Sequence, residues 1–288
     1  YEAQEKLGGM MMYGIPEYRY PKALLENEIR NILNLGVEYK CNTKVGKDVS
    51  FDDLKNSYDS LVIAVGGWES KKLDIPGEEA EGIVSGKDFL WMVAHNDLKK
   101  LSGKVIVIGG GNTAVDVART ALRLGADSVM LAYRRTIDQM PAEREEVSEL
   151  IEEGIYPTEL HDIDEIIVKN GKVTGIKCRK QSLGDFDSTG RKAPKPIIGK
   201  EGEIIFECDY LIPAVSQAID LSFAQNIEKN KNGTIKIDKD TFQTSDPKVF
   251  ACGDVVTIAN LAIAIGNGEA VAVSIEKTLN PGALKEFS

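Results

Sequence analysis

Residues 105–114 read VIVIGGGNTA and residues 127–135 read DSVMLAYRR. Val105–Ile108 is a continuous apolar run suited to a buried parallel strand, and Gly109, Gly111 and Ala114 stand at the GxGxxG/A positions that follow such a strand in dinucleotide-binding βαβ units. In that pattern the glycines make a tight turn and let the backbone approach a pyrophosphate, and the next helix points its N-terminal dipole at the charge. Val117, Ala118, Ala121 and Leu122 recur at helical spacing, so a helix is expected from Asn112 to Leu124, with Gly125 as its stop. The next strand, expected over Ser128–Tyr133, delivers Arg134 and Arg135. Sites for NAD carry an acidic residue about twenty positions past the glycines to hold the ribose 2′-hydroxyl, whereas two guanidiniums suit a 2′-phosphate. The stretch therefore reads as an NADP(H) site built from Gly109, Gly110, Gly111, Asn112, Thr113, Ala114, Arg134 and Arg135. The competing readings are an ordinary structural turn for the glycines and solvated strand-end charges for the arginines. The order of strand, glycines, helix, strand and basic terminus weighs against the first.

Composition sets the frame around this unit. The chain has 288 residues, 42% hydrophobic and 28% charged, enough for two modest α/β domains with separate cores. No apolar run approaches the eighteen or more residues of a membrane-spanning helix. A formal net charge of −10 argues against nucleic acid as a partner. It fits a solvated acidic surface, or docking to a basic electron-transfer partner. Cys41, Cys178, Cys208 and Cys252 are scattered and form no CxxC, which argues against a redox disulfide, a zinc site or a cluster built from this chain alone. Four buried, reduced thiols in a cytoplasmic setting are expected. His95 and His161 are isolated and read as packing or surface residues. Tyr18 and Lys22 match the YxxxK spacing of short-chain dehydrogenases, but the motif precedes the glycine turn and contains Pro21, so it is rejected. No Ser-His-Asp set or carboxylate pair stands out; no catalytic side chain is assigned.

The flanking segments resemble the small-subunit family of glutamate synthase, which includes the flavin–NADPH half of dihydropyrimidine dehydrogenase and the NADPH-oxidising subunit of bifurcating transhydrogenases. The carrying motifs are Gly8-Gly9 followed by GIPEYRYPK at 14–22, LVIAVGG at 61–67, IPGE at 75–78, YRRTIDQMPA at 133–142, CDYLIPAVSQ at 208–217 and TSDPKVFACGDVV at 244–256. They span almost the whole chain. The resemblance implies two Rossmann-like nucleotide-binding domains of glutathione-reductase type, with the NADP domain (98–241) inserted into an FAD domain (1–97 and 242–288). It implies that Glu2 holds the adenosine ribose of FAD, that Gly8, Gly9, Arg19, Ala64, Gly66 and Ala262 line the flavin site, and that Gly253 and Asp254 reach the ribityl chain. An alternative for Asp254 is a simple cap on backbone N–H groups. Ala214 and Ser216 are implied at the nicotinamide nucleotide, with Ser216 replacing the family's glycine and narrowing the cleft.

In this family a strand with its own GxGxxG precedes Glu2, and an iron–sulfur domain precedes that. The chain is accordingly expected to be a piece of a longer polypeptide, with iron–sulfur clusters only outside it and FAD secure for the parent alone. Its implied activity is hydride transfer between NADP(H) and FAD, the cofactors carrying the chemistry, with electrons then passing to iron–sulfur centres and a catalytic partner subunit. The alternative is a non-catalytic NADP-binding structural or regulatory module. Outside the nucleotide unit, the patterns predict helices over Pro21–Leu35, Phe51–Lys55 and Ala264–Leu279, and strands over Glu38–Lys40 and Ser60–Val65. An antiparallel meander is expected around Asn170-Gly171, and a long mobile hairpin loop over Gln181–Glu203.

Overall fold

Val105–Ile108 is the middle of a four-stranded parallel sheet in the computed structural model, which describes residues 1–282. The sheet runs in the order Tyr210–Pro213, Lys104–Ile108, Ser128–Tyr133, Thr158–Glu159. Because successive side chains of a strand point to opposite faces, the apolar run feeds two cores. Val105 and Val107 pack with Phe89, Val115, Val117, Ala118 and Leu150 from three helices, Gly86–Ala94, Asn112–Arg123 and Arg144–Glu152. Ile106 and Ile108 pack with Ile166, Val173, Ile176 and Cys178 from an antiparallel sheet on the other face. Each such side chain contributes about 1.5–3 kcal/mol by leaving water, which is why the run is apolar throughout.

The antiparallel sheet consists of His161–Lys169, Lys172–Phe186, Lys192–Pro196 and Glu203–Glu207. Asn170 and Gly171 join the first two strands with φ of 53° and 79°, the two left-handed residues of the expected hairpin turn. The hairpin expected over 181–203 forms, but most of it is paired strand where a loop was expected. Gln181–Leu183 pair with Pro194–Pro196, and the hairpin closes through a tight tip at Asp187–Arg191. Pro194 and Pro196 obscured the strand in the sequence. They are tolerated because Lys192–Pro196 is an edge strand, hydrogen-bonded on one side only.

The chain divides into two compact units, one of residues 10–30 and 70–216, the other of 1–9, 31–69 and the chain from Gln217. These boundaries differ from 97 and 241. Residues 70–97 join the first unit because Gly82 and Val84 exchange backbone bonds with Leu211 and Phe89 enters its core. Residues 217–241 join the second because Leu221, Ala224, Ile227 and Ile235 share a core with Ile63, Val249, Ala251 and Val255. Within this second unit Leu61–Ile63 lies parallel to Val249–Ala251. No strand pairs with the other edge of Leu61–Ile63 among the described residues. Glu38–Lys40 is extended but not a strand, although Glu2 N–H bonds Lys40 O and Thr43 N–H bonds Glu2 O, both at 2.9 Å. The last helix starts earlier than expected, at Leu261, because the Asn260 side chain accepts the Ile263 N–H as an N-cap. No described helix is long and apolar enough to cross a membrane. Cys178, Cys208 and Cys252 are buried, with burial pushing the Cys178 thiol up to about 12 and Cys208 to about 11. Cys41 is only half-buried, against expectation.

Segment 10–30 is fastened to the first unit by charge. The Arg19 guanidinium donates to both Asp116 oxygens at 2.9 and 3.0 Å and meets Glu146 at 2.8 Å. Arg119, itself buried, binds Glu146, Glu149 and Glu153. The Tyr18 ring lies beneath both Arg119 and Arg123, at 4.7 and 4.1 Å. The Lys22 ammonium donates to the carbonyls of Met11, Ile15 and Tyr20. Burial pushes the Asp116 carboxyl up to about 7, with Arg19 opposing the shift. Arg19→Ala should therefore destabilise the protein by about 2–3 kcal/mol at pH 8, somewhat less than for a fully buried pair because Arg19 is 21% exposed. Without the guanidinium the buried carboxyl stays protonated to higher pH, while in the unfolded chain it ionises near 4. The deficit, read as the difference in urea midpoints, should shrink from pH 8 to pH 5.

Candidate functional site

Three consecutive glycines end the central strand, and each is small for a different reason. A Cβ on Gly109, whose φ is +149°, would lie 2.4 Å from the Ala214 carbonyl oxygen, where the neighbouring parallel strand closes in. A Cβ on Gly110 would lie 2.4 Å from the Tyr133 ring, which covers the turn and donates its hydroxyl to Gln139 O at 2.8 Å. A Cβ on Gly111 would meet nothing within 4 Å, and its φ of −90° suits any residue. The fold has no use for a glycine at 111. A phosphate approaching the backbone does.

Gly111 is also the N-cap of Asn112–Arg123, with no side-chain cap and no acidic residue in the first turn. The leading N–H groups of a helix have no intrahelical partners and carry its positive dipole end, so this terminus is fitted to an anion. Ala114 is fully buried beside Gly109, which permits the close crossing of helix and strand. The Asn112 side chain accepts the Glu143 N–H at 2.8 Å and fixes the start of Arg144–Glu152. Thr113 follows in the first turn, and Ala214 N–H bonds Ile108 O at 2.7 Å. Ser216 O accepts the Lys71 N–H at 3.3 Å. Gly109–Ala114 and Ala214 thus meet at the carboxyl ends of two parallel strands, where open α/β sheets bind ligands.

Arg134 and Arg135 do not share one environment. Arg134 is exposed, and its charge opposes the rise that burial imposes on the Asp162 carboxyl. Arg135 is buried; its Nε donates to Lys192 O at 2.8 Å and its Nη2 to Asp187 at 2.6 Å. Neither Asp187 nor Lys192 carried any motif that could have identified it as a partner of Arg135. The same holds for Tyr133 as the cover of Gly110.

The residues implied for the flavin site fall in the second unit, with the exception of Arg19, which belongs to the first and is committed to Asp116 and Glu146. Parallel pairing of Leu61–Ile63 with Val249–Ala251 puts Ala64 and Gly66 beside Gly253 and Asp254 at the strands' carboxyl ends, with Cys252 N–H bonded to Ile63 O. Asp254 accepts the Ala259 N–H at 3.2 Å, and Ala262 is exposed on the following helix. One Glu2 oxygen accepts the Gln4 N–H at 2.8 Å, and Gly8 and Gly9 both have positive φ. A groove of about 440 Å³ in this unit is lined instead by Phe51, Lys55, Phe223 and Asp246 and contains none of these residues. His95 stacks on Tyr13 and lies tilted against Trp91, and His161 sets its ring edge against Phe206.

The sequence pattern of the pyridine nucleotide-disulphide oxidoreductase family matches residues 16–268. The NADP(+)-dependent formate dehydrogenase subunit beta of Moorella thermoacetica is 41% identical over 287 residues, covering 98% of this chain and 40% of that protein. The putative glutamate synthase [NADPH] small chain of Cereibacter sphaeroides is 33% identical over 295 residues, covering 96% of this chain and 69% of that one. This chain thus spans well under half of the first relative's length. Among solved structures, FprA from Mycobacterium tuberculosis superposes with a TM-score of 0.80 at 18% identity, over 97% of this chain and 77% of that one, which shows a shared fold.

The three glycines give a divided expectation for single substitutions. Gly111→Ala should leave the thermal midpoint within about 2 °C of wild type, since nothing opposes the methyl group, while weakening NADP⁺ at least tenfold by calorimetry. Gly110→Ala should instead lower the midpoint by several degrees, because the Tyr133 ring has to move.

Proposed function

Because the chain belongs to the pyridine nucleotide-disulphide oxidoreductase family, in the branch that contains glutamate synthase small chains, we propose that it is the nucleotide-handling part of an NADPH-dependent flavin oxidoreductase. The protein passes reducing equivalents from NADPH, through FAD, to iron–sulfur centres and a catalytic partner subunit. The observation that carries the reading is Gly111, a glycine that packing does not require, at the bare N-terminus of a helix that follows a buried parallel strand.

The family binds FAD and NADP(H), and together these supply hydride transfer, so the chain needs no acid–base side chain of its own. The roles left to it are binding and orientation. The N–H groups at Gly111, Asn112 and Thr113 hold the pyrophosphate, Gly109, Gly110 and Ala114 let strand, ring and helix close around it, and the strand end at Arg134 and Arg135 meets the ribose 2′-phosphate. Ala214 and Ser216 border the same nucleotide. Glu2, Gly8, Gly9, Ala64, Gly66, Gly253, Asp254 and Ala262 serve FAD, with the Glu2 carboxylate facing ribose hydroxyls and Asp254 the ribityl chain. Arg19 is left out of this assignment, since its Nη1 and Nη2 are engaged by Asp116 and Glu146. The relatives are named as subunits of an NADP(+)-dependent formate dehydrogenase and an NADPH glutamate synthase. Their names support a subunit that exchanges electrons with a separate catalytic partner.

The test is optical. The full-length protein should purify yellow, and anaerobic NADPH should bleach its flavin band at least tenfold faster than equimolar NADH. A colourless protein that still binds NADP⁺ would favour a regulatory nucleotide-binding module. In the same assay Asp254→Ala should lower the flavin content per protein, with NADP⁺ affinity unchanged.

A further inference from the structure

The two arginines that end the strand Ser128–Tyr133 differ in what they already hold. Arg134 is exposed, and among the described residues no hydrogen bond or ion pair fixes its guanidinium; its charge is felt by Asp162. Arg135 is a junction of three segments. Its backbone carbonyl accepts the Leu160 N–H at 3.1 Å, its Nε donates to Lys192 O at 2.8 Å, and its Nη2 meets Asp187 at 2.6 Å. Its side chain is only 5% exposed.

Asp187 is built for this contact. Its Oδ1 accepts the N–H and hydroxyl of Thr189 and the N–H of Arg191, which closes the hairpin tip with Gly190 at φ +75°, and leaves Oδ2 for Arg135. These bonds hold the carboxyl down at about 2, so it stays charged at any physiological pH. A 2′-phosphate arriving from solvent would have to displace an organised carboxylate and a backbone carbonyl to take over Arg135. At Arg134 it displaces water.

We propose that Arg134 alone discriminates the ribose 2′-phosphate, and that Arg135 is a rivet, holding the tip of hairpin 172–196 against the end of the nucleotide-binding sheet. The assignment rests on the NADP(H) reading above and divides between two residues what the sequence motif assigns jointly. It also gives the hairpin a purpose: through Arg135 its tip becomes a fixed wall beside the specificity end of the site.

Calorimetry with 2′,5′-ADP and 5′-AMP, which differ only in the 2′-phosphate, tests the division on the full chain. The ratio of their affinities should fall more than tenfold in Arg134→Ala, the expected loss of a charge-assisted contact to phosphate. In Asp187→Asn and Arg135→Met it should stay within about threefold of wild type. Amide exchange at Gly190–Lys192 should accelerate in both of those variants and not in Arg134→Ala. Collapse of the ratio in Arg135→Met, with or without its collapse in Asp187→Asn, overturns the proposal, as does unchanged exchange at the tip. If the wild-type chain binds the two nucleotides equally, the NADP(H) reading itself fails and Arg134 loses its role. The exchange data then still decide whether Arg135 is a rivet.

Discussion

The nucleotide-binding unit depends on how closely its backbone packs at the end of the central strand. The Ala214 carbonyl and the Tyr133 ring occupy the space that side chains at 109 and 110 would fill, and Ala114 is buried against the same turn. With those positions closed by protein, the turn is rigid, and the one place left open is at Gly111. The open place coincides with the positive end of a twelve-residue helix. Packing and electrostatics thus select the same spot. A methyl group at 109 or 110 would disturb the fold, whereas one at 111 would disturb only what binds there.

The helix that carries this terminus is held from the side by a charged network that would be costly if any member were missing. Asp116 and Arg119 lie on its buried face, and neither is tolerable there alone. Arg19, arriving from a segment almost a hundred residues earlier, satisfies Asp116, and three glutamates satisfy Arg119. Such a set contributes little net stability over an apolar core, but it admits only one arrangement. It positions the helix, and with it the anion site, relative to the neighbouring helix Arg144–Glu152. The GIPEYRYPK motif is part of this fastening: Tyr18, Arg19 and Lys22 each engage within the unit, through a ring face, a guanidinium and an ammonium.

Local patterns that determine their own structure were legible in the sequence. The strand, glycines and helix of 104–123, the strand 128–133 and the Asn170-Gly171 turn all depend on residues within a few positions of one another. What depended on distant partners was hidden. Nothing near Arg135 in the sequence shows that Asp187 will neutralise it, and nothing near Arg19 shows that Asp116 is its partner. The domain boundaries fell elsewhere for the same reason, since residues 70–97 and 217–241 are assigned by the cores that Phe89 and Ile235 enter. The strand Lys192–Pro196 escaped because both its faces are largely exposed and two prolines interrupt it, so neither alternation nor propensity marked it.

The separation of Arg134 from Arg135 bears on how specificity is maintained. A pair of free arginines at one surface would repel each other and would each lose side-chain freedom on binding. Holding one in an ion pair with Asp187 removes that repulsion and stiffens the strand end from which the other projects. In the proposed division, the exposed arginine then meets an incoming phosphate from a fixed base. Its neighbour Asp162 tempers the positive charge that remains when no ligand is bound. On this account, discrimination depends on the contrast between the two residues: one bound into the fold, the other left to the ligand.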